Sequence, residues 1–273
     1  MVWITHDFLE TKGPMARPDA VQKNELAWDS IASSEQDWFP VVDIEQMAGA
    51  RSGQLKIHVT AQKSIPTDWL EPLEGRTILC LAGGGGQQAP LLAAAGGQVT
   101  VFDLSRRQLE RDQEVADRES LQLRTVQGDM RDLSVFPSES FDLIINPCSV
   151  CYCPDVLPIW QECFRVTRPG GSLITGLINP INFLFDEIKA AQGDFRVAHA
   201  IPYSDLDLSP QQRETILGQQ RPVRFGHRLA DMLGGLTQVG FQIDGLYEDC
   251  WGAGDKLSKL IELFLAVRAT RPG

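Results

Sequence analysis

Four consecutive glycines, Gly83 to Gly86, directly follow a short apolar run and constrain the fold more than any other stretch of the sequence. The apolar run at 77–82 is too short for a buried helix, so it predicts a central β-strand. Glycine repeats cost conformational entropy on folding, and a stable domain keeps them where the backbone turns sharply or approaches a ligand closely. The sequence therefore predicts a strand that ends in a tight turn facing a ligand.

The stretch after the glycines completes a strand–helix–strand unit. Residues 87–95 are rich in alanine and leucine and predict a helix, which Gly96 and Gly97 end. Residues 98–102 predict a second strand, and Asp103 lies just beyond it. An acid about 20 residues after a glycine turn is typical of a site that binds a pair of ribose hydroxyls. We therefore expect a nucleoside-containing ligand here.

The length and charge of the chain argue against several classes of protein. With 273 residues, the chain has the size of one large domain or of one domain with an insertion. Its formal net charge of -11 disfavours nucleic acid and anionic membranes as partners. No apolar stretch reaches the roughly 20 residues of a membrane span, and the first residues lack the pattern of a secretory signal. The six cysteines are then expected to be reduced thiols in a cytoplasmic protein.

Strand and helix patterns alternate from residue 77 to residue 178, which predicts a parallel sheet with helices on both faces. Ser105 is expected to cap the helix after the second strand, and Asp155 the helix after the fourth. The later helix should stop at the Arg168-Pro169-Gly170-Gly171 turn. The other predicted elements of this part are a helix at 106–119 and strands at 123–127, 141–145 and 172–178.

Residues 1–74, before the first strand, are expected to form a helical arm. A helix is predicted at 20–34, and the apolar contacts expected from it include Leu26 and Trp28. Trp28 and Trp38 have two interpretations: packing against the sheet, or part of a lid that excludes water from the ligand. Two further short helices are predicted in the arm, at 43–47 and, as one interpretation of an ambiguous stretch, at 54–65.

A long connection follows the fifth strand. Residues 179–226 far exceed the usual connection between a strand and a helix, about 2 to 6 residues, so we expect a functional insertion. The insertion and the arm together are expected to form a lid over a second substrate. The predicted elements are helices at 182–191 and 227–239, with Leu229 and Leu236 directed inward, and strands at 241–247 and 261–267.

A glycine turn followed by an acid suits more than one cofactor, and a nicotinamide dinucleotide is one of them. The spacing Gly84-x-Gly86-x-x-Ala89 matches a loose dinucleotide pattern, which would indicate an NAD(P)-dependent oxidoreductase. That match is weak, because any run of four glycines followed by alanines contains it. A non-catalytic protein that binds a nucleoside cofactor is a further alternative.

Five motifs, taken in order, resemble those of the class I S-adenosylmethionine-dependent methyltransferases. They are ILCLAGGGG, VFD, GDM, FDLIINP and RVTRPGG, and the resemblance extends over about residues 75–268. It implies a doubly wound α/β fold, with a seven-stranded, mostly parallel, Rossmann-like sheet in a domain at 75–273. It also implies S-adenosylmethionine as cofactor and in-line transfer of its methyl group. With the acidic charge, this favours a small-molecule acceptor, and a protein acceptor stays open.

The same resemblance implies where the cofactor would lie. The backbone of Ala82, Gly83 and Gly84 would pass beneath its methionine part. Asp103 would accept both ribose hydroxyls, a geometry that suits the two oxygens of a carboxylate. The other implied contacts are Leu104 against the adenine, Asp129 and Met130 on the adenine edge, Asn146 near the reacting methyl, and Gln108 and Trp28 around the cofactor.

Cys80 departs from the family's pattern, because an acid usually stands at this position of the first strand. Ala82 likewise replaces the first glycine of the turn. The contact that usually helps to hold the cofactor's amino group must then come from elsewhere, from the N-terminal arm or from Gln87. The departure affects the details of the site more than the family.

Three residues in or beside the insertion are candidate general bases for an oxygen or nitrogen acceptor. They are His227, His199 and Tyr203. Each also has a plain structural interpretation, since a histidine at the start of a helix, such as His227, is often a cap or a surface residue.

Cys148, Cys151 and Cys153 form a C-x-x-C-x-C pattern that invites comparison with a zinc site. Zinc requires four ligands, and the pattern lacks a second matched pair. We therefore predict no metal, and expect these cysteines to be buried or to line the site as thiols.

Overall fold

A seven-stranded sheet organises the computed structural model, which describes residues 18–34, 40–70, 72–217 and 221–273. The strands are β1 (Thr77–Leu81), β2 (Gln98–Asp103), β3 (Leu123–Gln127), β4 (Phe141–Asn146), β5 (Thr167–Ile178), β6 (Tyr203–Ser204), β7 (Phe225–Gly226), β8 (Gln242–Asp249) and β9 (Phe264–Thr270). The helices are α1 (Pro18–Ser33), α2 (Ile44–Arg51), α3 (Thr67–Leu70), α4 (Gln88–Ala94), α5 (Arg106–Glu119), α6 (Leu157–Val166), α7 (Glu187–Gln192), α8 (Pro210–Leu217) and α9 (Gly235–Val239).

The strand order in the large sheet is β3-β2-β1-β4-β5-β9-β8. The first five strands of this order are parallel, and β9 is antiparallel to both β5 and β8. The direction of winding reverses between β1 and β4, and α/β folds bind ligands in the crevice beyond the carboxyl ends of such strands. The predicted doubly wound, mostly parallel sheet of seven strands is confirmed.

Side chains of β1 alternate between two apolar clusters on opposite faces of the sheet. Leu79 and Leu81 pack in the cluster that contains Trp160 of α6. Ile78 packs in the other cluster, which contains Met47 of α2. Because Met47 packs in this cluster, the segment around α2 is part of the main core. Each buried side chain of this size contributes roughly 1.5–3 kcal/mol to folding.

Residues 54–65 do not form the short helix that was one interpretation of this stretch. Ile57, Val59 and Thr60 are buried, and the chain bends at 59–62 without regular secondary structure. The Ile65 amide donates to the Ile57 carbonyl at 2.7 Å, and the Cys148 amide donates to the Val59 carbonyl at 3.2 Å. We call residues 57–65 the strap, because they cross the carboxyl ends of β4 and β5.

The boundaries of α6 differ from the prediction at both ends. Asp155 is exposed, and Val156 holds the N-cap position without a side-chain hydrogen bond. The Pro-Gly-Gly turn lies within β5, because the Gly170 amide donates to the Arg271 carbonyl at 2.8 Å and so pairs with the end of the chain. Both predictions were wrong. For the turn, the reason is that pairing with a distant segment determined its structure.

Helices in and just after the insertion differ from those predicted, because α8 was not predicted and the two expected helices are shorter or broken. The helix expected at 182–191 is split into a 3-10 turn (Pro180–Phe183) and α7, and the helix expected at 227–239 begins later, as a π-helical turn (Ala230–Gly234) followed by α9. Leu229 is 45% exposed, and Leu26 of α1 is 64% exposed, so the inward direction predicted for both was wrong. No helix within the described ranges is long and apolar enough to cross a membrane.

Candidate active site

The glycine turn leaves β1 through a series of left-handed backbone conformations. Ala82, Gly84 and Gly86 have φ of +52°, +72° and +74°. Glycine adopts such angles freely, whereas a residue with a Cβ incurs about 1–2 kcal/mol of strain. The Ala82 amide donates to the Phe102 carbonyl at 2.8 Å, which joins the start of the turn to the end of β2. The turn and the end of β2 therefore lie side by side.

The two sides of the glycine turn have different surroundings. A Cβ added to Gly85 would overlap the Gln108 carbonyl oxygen, and one added to Gly86 would lie 2.6 Å from Val41 Cγ1. A Cβ on Gly83 would meet only the Cβ of Cys80, at 3.9 Å. The second half of the turn is thus packed tightly against the protein, while Gly83, although buried, has no tight contact at the position of a Cβ.

Asp103 ends β2 beside the turn, as the sequence predicts. It is buried, and one of its carboxylate oxygens accepts the Ser105 amide at 2.8 Å. Burial raises the pKa of Asp103 to about 6, with a further contribution from the nearby Asp29 and opposition from the Ser105 and Leu104 amides. Asp103 is therefore mostly ionised at pH 7 and can accept hydrogen bonds from two hydroxyls.

Helix α1 crosses the carboxyl edge of the sheet. Asp29 accepts from the Ser105 hydroxyl and from the Arg107 amide, at the start of α5. The Asn24 amide group donates to the Tyr152 carbonyl at 2.9 Å and accepts from the Val223 amide at 2.7 Å. The helix therefore touches the β2–α5 turn, the segment after β4 and the insertion.

The structure describes one of the two candidate lid tryptophans of the arm, Trp28. The Trp28 ring, half-buried on α1, makes an edge contact with the Tyr152 ring, with 5.0 Å between ring centroids. Trp38 lies outside the described residues. A covering role for Trp28 stays a prediction, and its position on the helix over this edge is compatible with it.

The residues expected around the adenine lie past the ends of β2 and β3. Asp129 forms an ion pair with Arg131, whose Nε lies 3.0 Å from Oδ2. The Leu104 carbonyl accepts from the Gln127 amide group at 3.1 Å. Met130 packs at the margin of the core cluster that contains Phe102. The structure thus gathers these residues in one region, and their contacts with adenine stay predictions.

Asn146 lies at the end of β4, as expected, and its polar atoms are all engaged. Its amide group donates to the Leu81 carbonyl at 2.8 Å and to the Ser149 hydroxyl at 2.7 Å. Its oxygen accepts from the Thr175 hydroxyl at 2.9 Å. Asn146 therefore links the ends of β1, β4 and β5, and its predicted place near the reacting methyl stays untested by these contacts.

A narrow cavity lies beyond the carboxyl ends of β4 and β5, beneath the insertion. Its free space is about that of a single water molecule. The lining is apolar except for thiols and one imidazole. Its members include Cys148, Cys151, Leu177, Phe183, Phe225 and His227.

Of the three candidate bases, His227 lines the cavity. It is buried, and its Nε2 lies 3.3 Å from the Val150 carbonyl oxygen. Burial lowers the pKa of His227, although the nearby carbonyls oppose the shift. A carbonyl oxygen can only accept, so a neutral imidazole carries its hydrogen on Nε2 in this contact, and Nδ1 is the nitrogen that can accept a proton.

His199 and Tyr203 lie together in the insertion, with 5.1 Å between ring centroids, and neither lines the cavity. The Tyr203 hydroxyl donates to the fully buried Asp205 carboxylate at 2.7 Å, and burial with this bond raises the pKa of the phenol. A phenolate is thereby disfavoured. Their catalytic roles stay predictions, and the contacts place them in the framework of the insertion.

All six cysteines are free thiols. Cys148 and Cys151 line the cavity, and Cys148 also donates to the Val59 carbonyl of the strap at 3.3 Å. Burial raises the pKa of Cys151 to about 12, so it is a neutral thiol at pH 7. Within the described part of the chain, no three His, Cys, Asp or Glu side chains are grouped to hold a metal ion.

Sequence reasoning missed two contributors to the site. Asp112 of α5 accepts the Gly86 amide at 2.8 Å, and the strap residue Val59 closes over Gly176, where a Cβ would overlap the Val59 carbonyl oxygen. A signal existed for the first: Asp112 lies three residues from both Leu109 and Val115, on the inward face of the helix. The strap gives no such signal.

Comparisons with known proteins match this geometry. The family profile described as "Methyltransferase domain" matches residues 79–175. The uncharacterized methyltransferase YbaJ of Bacillus subtilis (strain 168) is 40% identical over 252 residues, which cover 92% of this chain and 98% of that protein. A ubiquinone biosynthesis O-methyltransferase of Paracidovorax citrulli is 32% identical over 117 residues, which cover 41% of this chain and 48% of that enzyme. The crystal structure of an S-adenosylmethionine dependent methyltransferase from Mesorhizobium loti superposes with a TM-score of 0.56, at 22% identity, over 75% of this chain and 94% of its own.

Proposed function

Because the chain belongs to the class I S-adenosylmethionine-dependent methyltransferases, we propose that it methylates a small, largely apolar molecule held beneath the insertion. The observation that carries this proposal is the apolar cavity, with His227 in its wall, at the carboxyl ends of β4 and β5. The comparisons give no support to an NAD(P)-dependent oxidoreductase.

The residues around the glycine turn fit S-adenosylmethionine. Gly83 has no side chain and no tight contact at the position of a Cβ, so its backbone can come close to a ligand. Asp103, buried at the end of the neighbouring strand, offers a carboxylate for the two ribose hydroxyls. We propose that Ala82, Gly83 and Gly84 support the methionine part of the cofactor, and that Leu104, Asp129 and Met130 surround the adenine.

The cavity is too small for an acceptor in this conformation. Its free space is about that of a single water molecule, whereas typical ligand pockets measure roughly 300–1,000 Å³. Phe183 and Phe225, from the two ends of the insertion, form part of its wall, so binding of an acceptor requires the insertion to move. Apolar walls with one imidazole suit a molecule that presents a single hydroxyl, amine or thiol to the base.

In the proposed mechanism, the protein aligns the reactants and excludes water. Bound S-adenosylmethionine would supply a methyl group on a sulfonium sulfur, and that sulfur leaves as a neutral thioether. His227 removes the proton from the heteroatom of the acceptor, a role open to it because burial keeps the imidazole neutral. The insertion and α1 hold the acceptor and keep water out.

A product assay tests the proposal. The protein is incubated with S-adenosylmethionine and a panel of small phenols, amines and thiols, and S-adenosylhomocysteine is quantified. We expect His227→Gln to lower turnover by about 10²–10⁴-fold without weakening the binding of S-adenosylhomocysteine. His199→Gln is tested beside it, and a loss of turnover in that variant instead would identify His199 as the base. A melting temperature raised by NADH and not by S-adenosylhomocysteine would reject the cofactor itself.

A further inference from the structure

Two side chains of α5 hold the backbone of the glycine turn. The Gly85 amide donates to Gln108 Oε1 at 2.7 Å, and the Gly86 amide donates to Asp112 Oδ1 at 2.8 Å. The two acceptors are four residues apart and so lie on one face of the helix. Without them, two buried amides would lack partners, at about 1–3 kcal/mol each.

The contact between α5 and the turn is too close for any side chain on the glycines. A Cβ on Gly85 would overlap the Gln108 carbonyl oxygen and lie 2.8 Å from the Arg111 Cβ. With the second half of the turn pressed against the helix, the positive φ angles of Gly84 and Gly86 are held in place. The same helix begins at Ser105, whose amide donates to Asp103.

Asp112 is an unexpected residue for simple helix packing. It is 1% exposed, and burial raises its pKa to about 8, with the Gly86 amide and Arg111 opposing the shift. Burying a carboxyl group costs folding free energy that an apolar side chain at the same place would not. The field of Asp112 also contributes to the raised pKa of Cys80, so the acid lies near the strand position that Cys80 occupies.

We infer that Gln108 and Asp112 are positioning residues, which hold the glycine turn in the conformation that binds the cofactor. This inference rests on the proposed placement of S-adenosylmethionine on the turn. Its physical basis is that a turn released from α5 must recover its bound conformation at the expense of affinity.

Titration calorimetry with S-adenosylhomocysteine on the full chain tests the inference. We expect Asp112→Ala to weaken binding by about tenfold or more, and Gln108→Met to act in the same direction. Asp112→Asn keeps an oxygen for the Gly86 amide, so we expect its affinity within about threefold of the unchanged protein. Asp117→Ala, on the exposed face of the same helix, is the matched control.

Hydrogen exchange separates a positioning role from general loss of structure. In Asp112→Ala without ligand, we expect faster exchange in the peptide that contains Gly85 and Gly86, with unchanged exchange in β4 and β5. Unchanged affinity in Asp112→Ala, or equal losses in Asp112→Ala and Asp112→Asn, would overturn the inference and leave the proposed function standing. If the unchanged protein fails to bind S-adenosylhomocysteine, the proposed function falls and the inference with it.

Discussion

The two halves of the candidate site are assembled in different ways. Most of the cofactor half is one continuous stretch, from β1 through the glycine turn and Asp103 to the end of α5, and α5 binds the backbone of the turn; Asp129 and Met130 follow β3. The acceptor half collects side chains from the segment after β4, the end of β5, and both ends of the insertion. The first half is fixed by contacts close in sequence, the second by contacts far apart. Changes in one half should therefore leave the other largely intact.

The largest effect is expected in the cofactor half, from Asp103→Ala. Two hydrogen bonds to a charged group contribute about 1.5–3 kcal/mol each, so the affinity for S-adenosylhomocysteine should fall by about 100-fold or more. Titration calorimetry measures the loss. Asp129→Ala should cost less, because Asp129 already shares its charge with Arg131. An undiminished affinity in Asp103→Ala would remove the ribose assignment.

The acceptor half should respond to Asp205→Ala. Asp205 is fully buried and accepts from the Tyr203 hydroxyl and the Arg224 amide, both at 2.7 Å. Removing one partner of a buried ion pair costs about 3 kcal/mol, so the insertion should become sensitive to proteolysis and the urea midpoint should fall. Asp205→Asn, which keeps an acceptor oxygen, should lose less. If the affinity for S-adenosylhomocysteine falls in parallel, the two halves are not independent.

Acid should weaken cofactor binding through Asp103. Ribose hydroxyls donate to the ionised carboxylate, and the pKa of Asp103 is about 6, so the affinity for S-adenosylhomocysteine should fall about tenfold from pH 7 to pH 5. The contribution of Asp103 to folding stability depends on pH in the opposite direction, because folding raises its pKa from 3.8. This stabilising contribution is fully present below pH 3.8 and is lost as the pH rises through about 6. Calorimetry across this range checks the first statement, and the weaker binding of Asp103→Asn should lack the pH step.

The smallest effect is expected within the turn itself, from Ala82→Gly. Ala82 has a φ of +52°, a conformation that costs about 1–2 kcal/mol for a residue with a Cβ. Glycine relieves this strain but makes the unfolded chain more flexible by about 0.4–1 kcal/mol. The free energy of unfolding in urea should therefore rise by at most about 1 kcal/mol. A clear fall would show that the alanine methyl group makes a packing contribution larger than the strain.

The difference between the two halves also explains which features could be predicted from the sequence. Strands β1 to β4 were predicted to within about a residue, because each is a short apolar run beside glycine or a charged turn. Asp103 was predicted because its spacing from the glycines is local. These signals depend on neighbours in the sequence, which is also how the cofactor half is held together.

The acceptor half offered no comparable signal. A short helix was one interpretation of the ambiguous residues 54–65, and the irregular form that the strap takes depends on Cys148 and on the missing side chain of Gly176. The Pro-Gly-Gly turn was read as the end of α6, because its partner, Arg271, lies about 100 residues away. His227 was proposed on position alone, and its burial beside Val150 follows from the folding of the whole insertion. Long-range pairing decided each case.

The link made by Asn24 has a consequence for the order of assembly during synthesis. Its partner Val223 lies 199 residues further along the chain, and Tyr152 lies 128 residues further. Because translation proceeds from the amino end, α1 leaves the ribosome long before either partner exists. Helix α1 is therefore seated late, and the site closes only after Val223 has emerged.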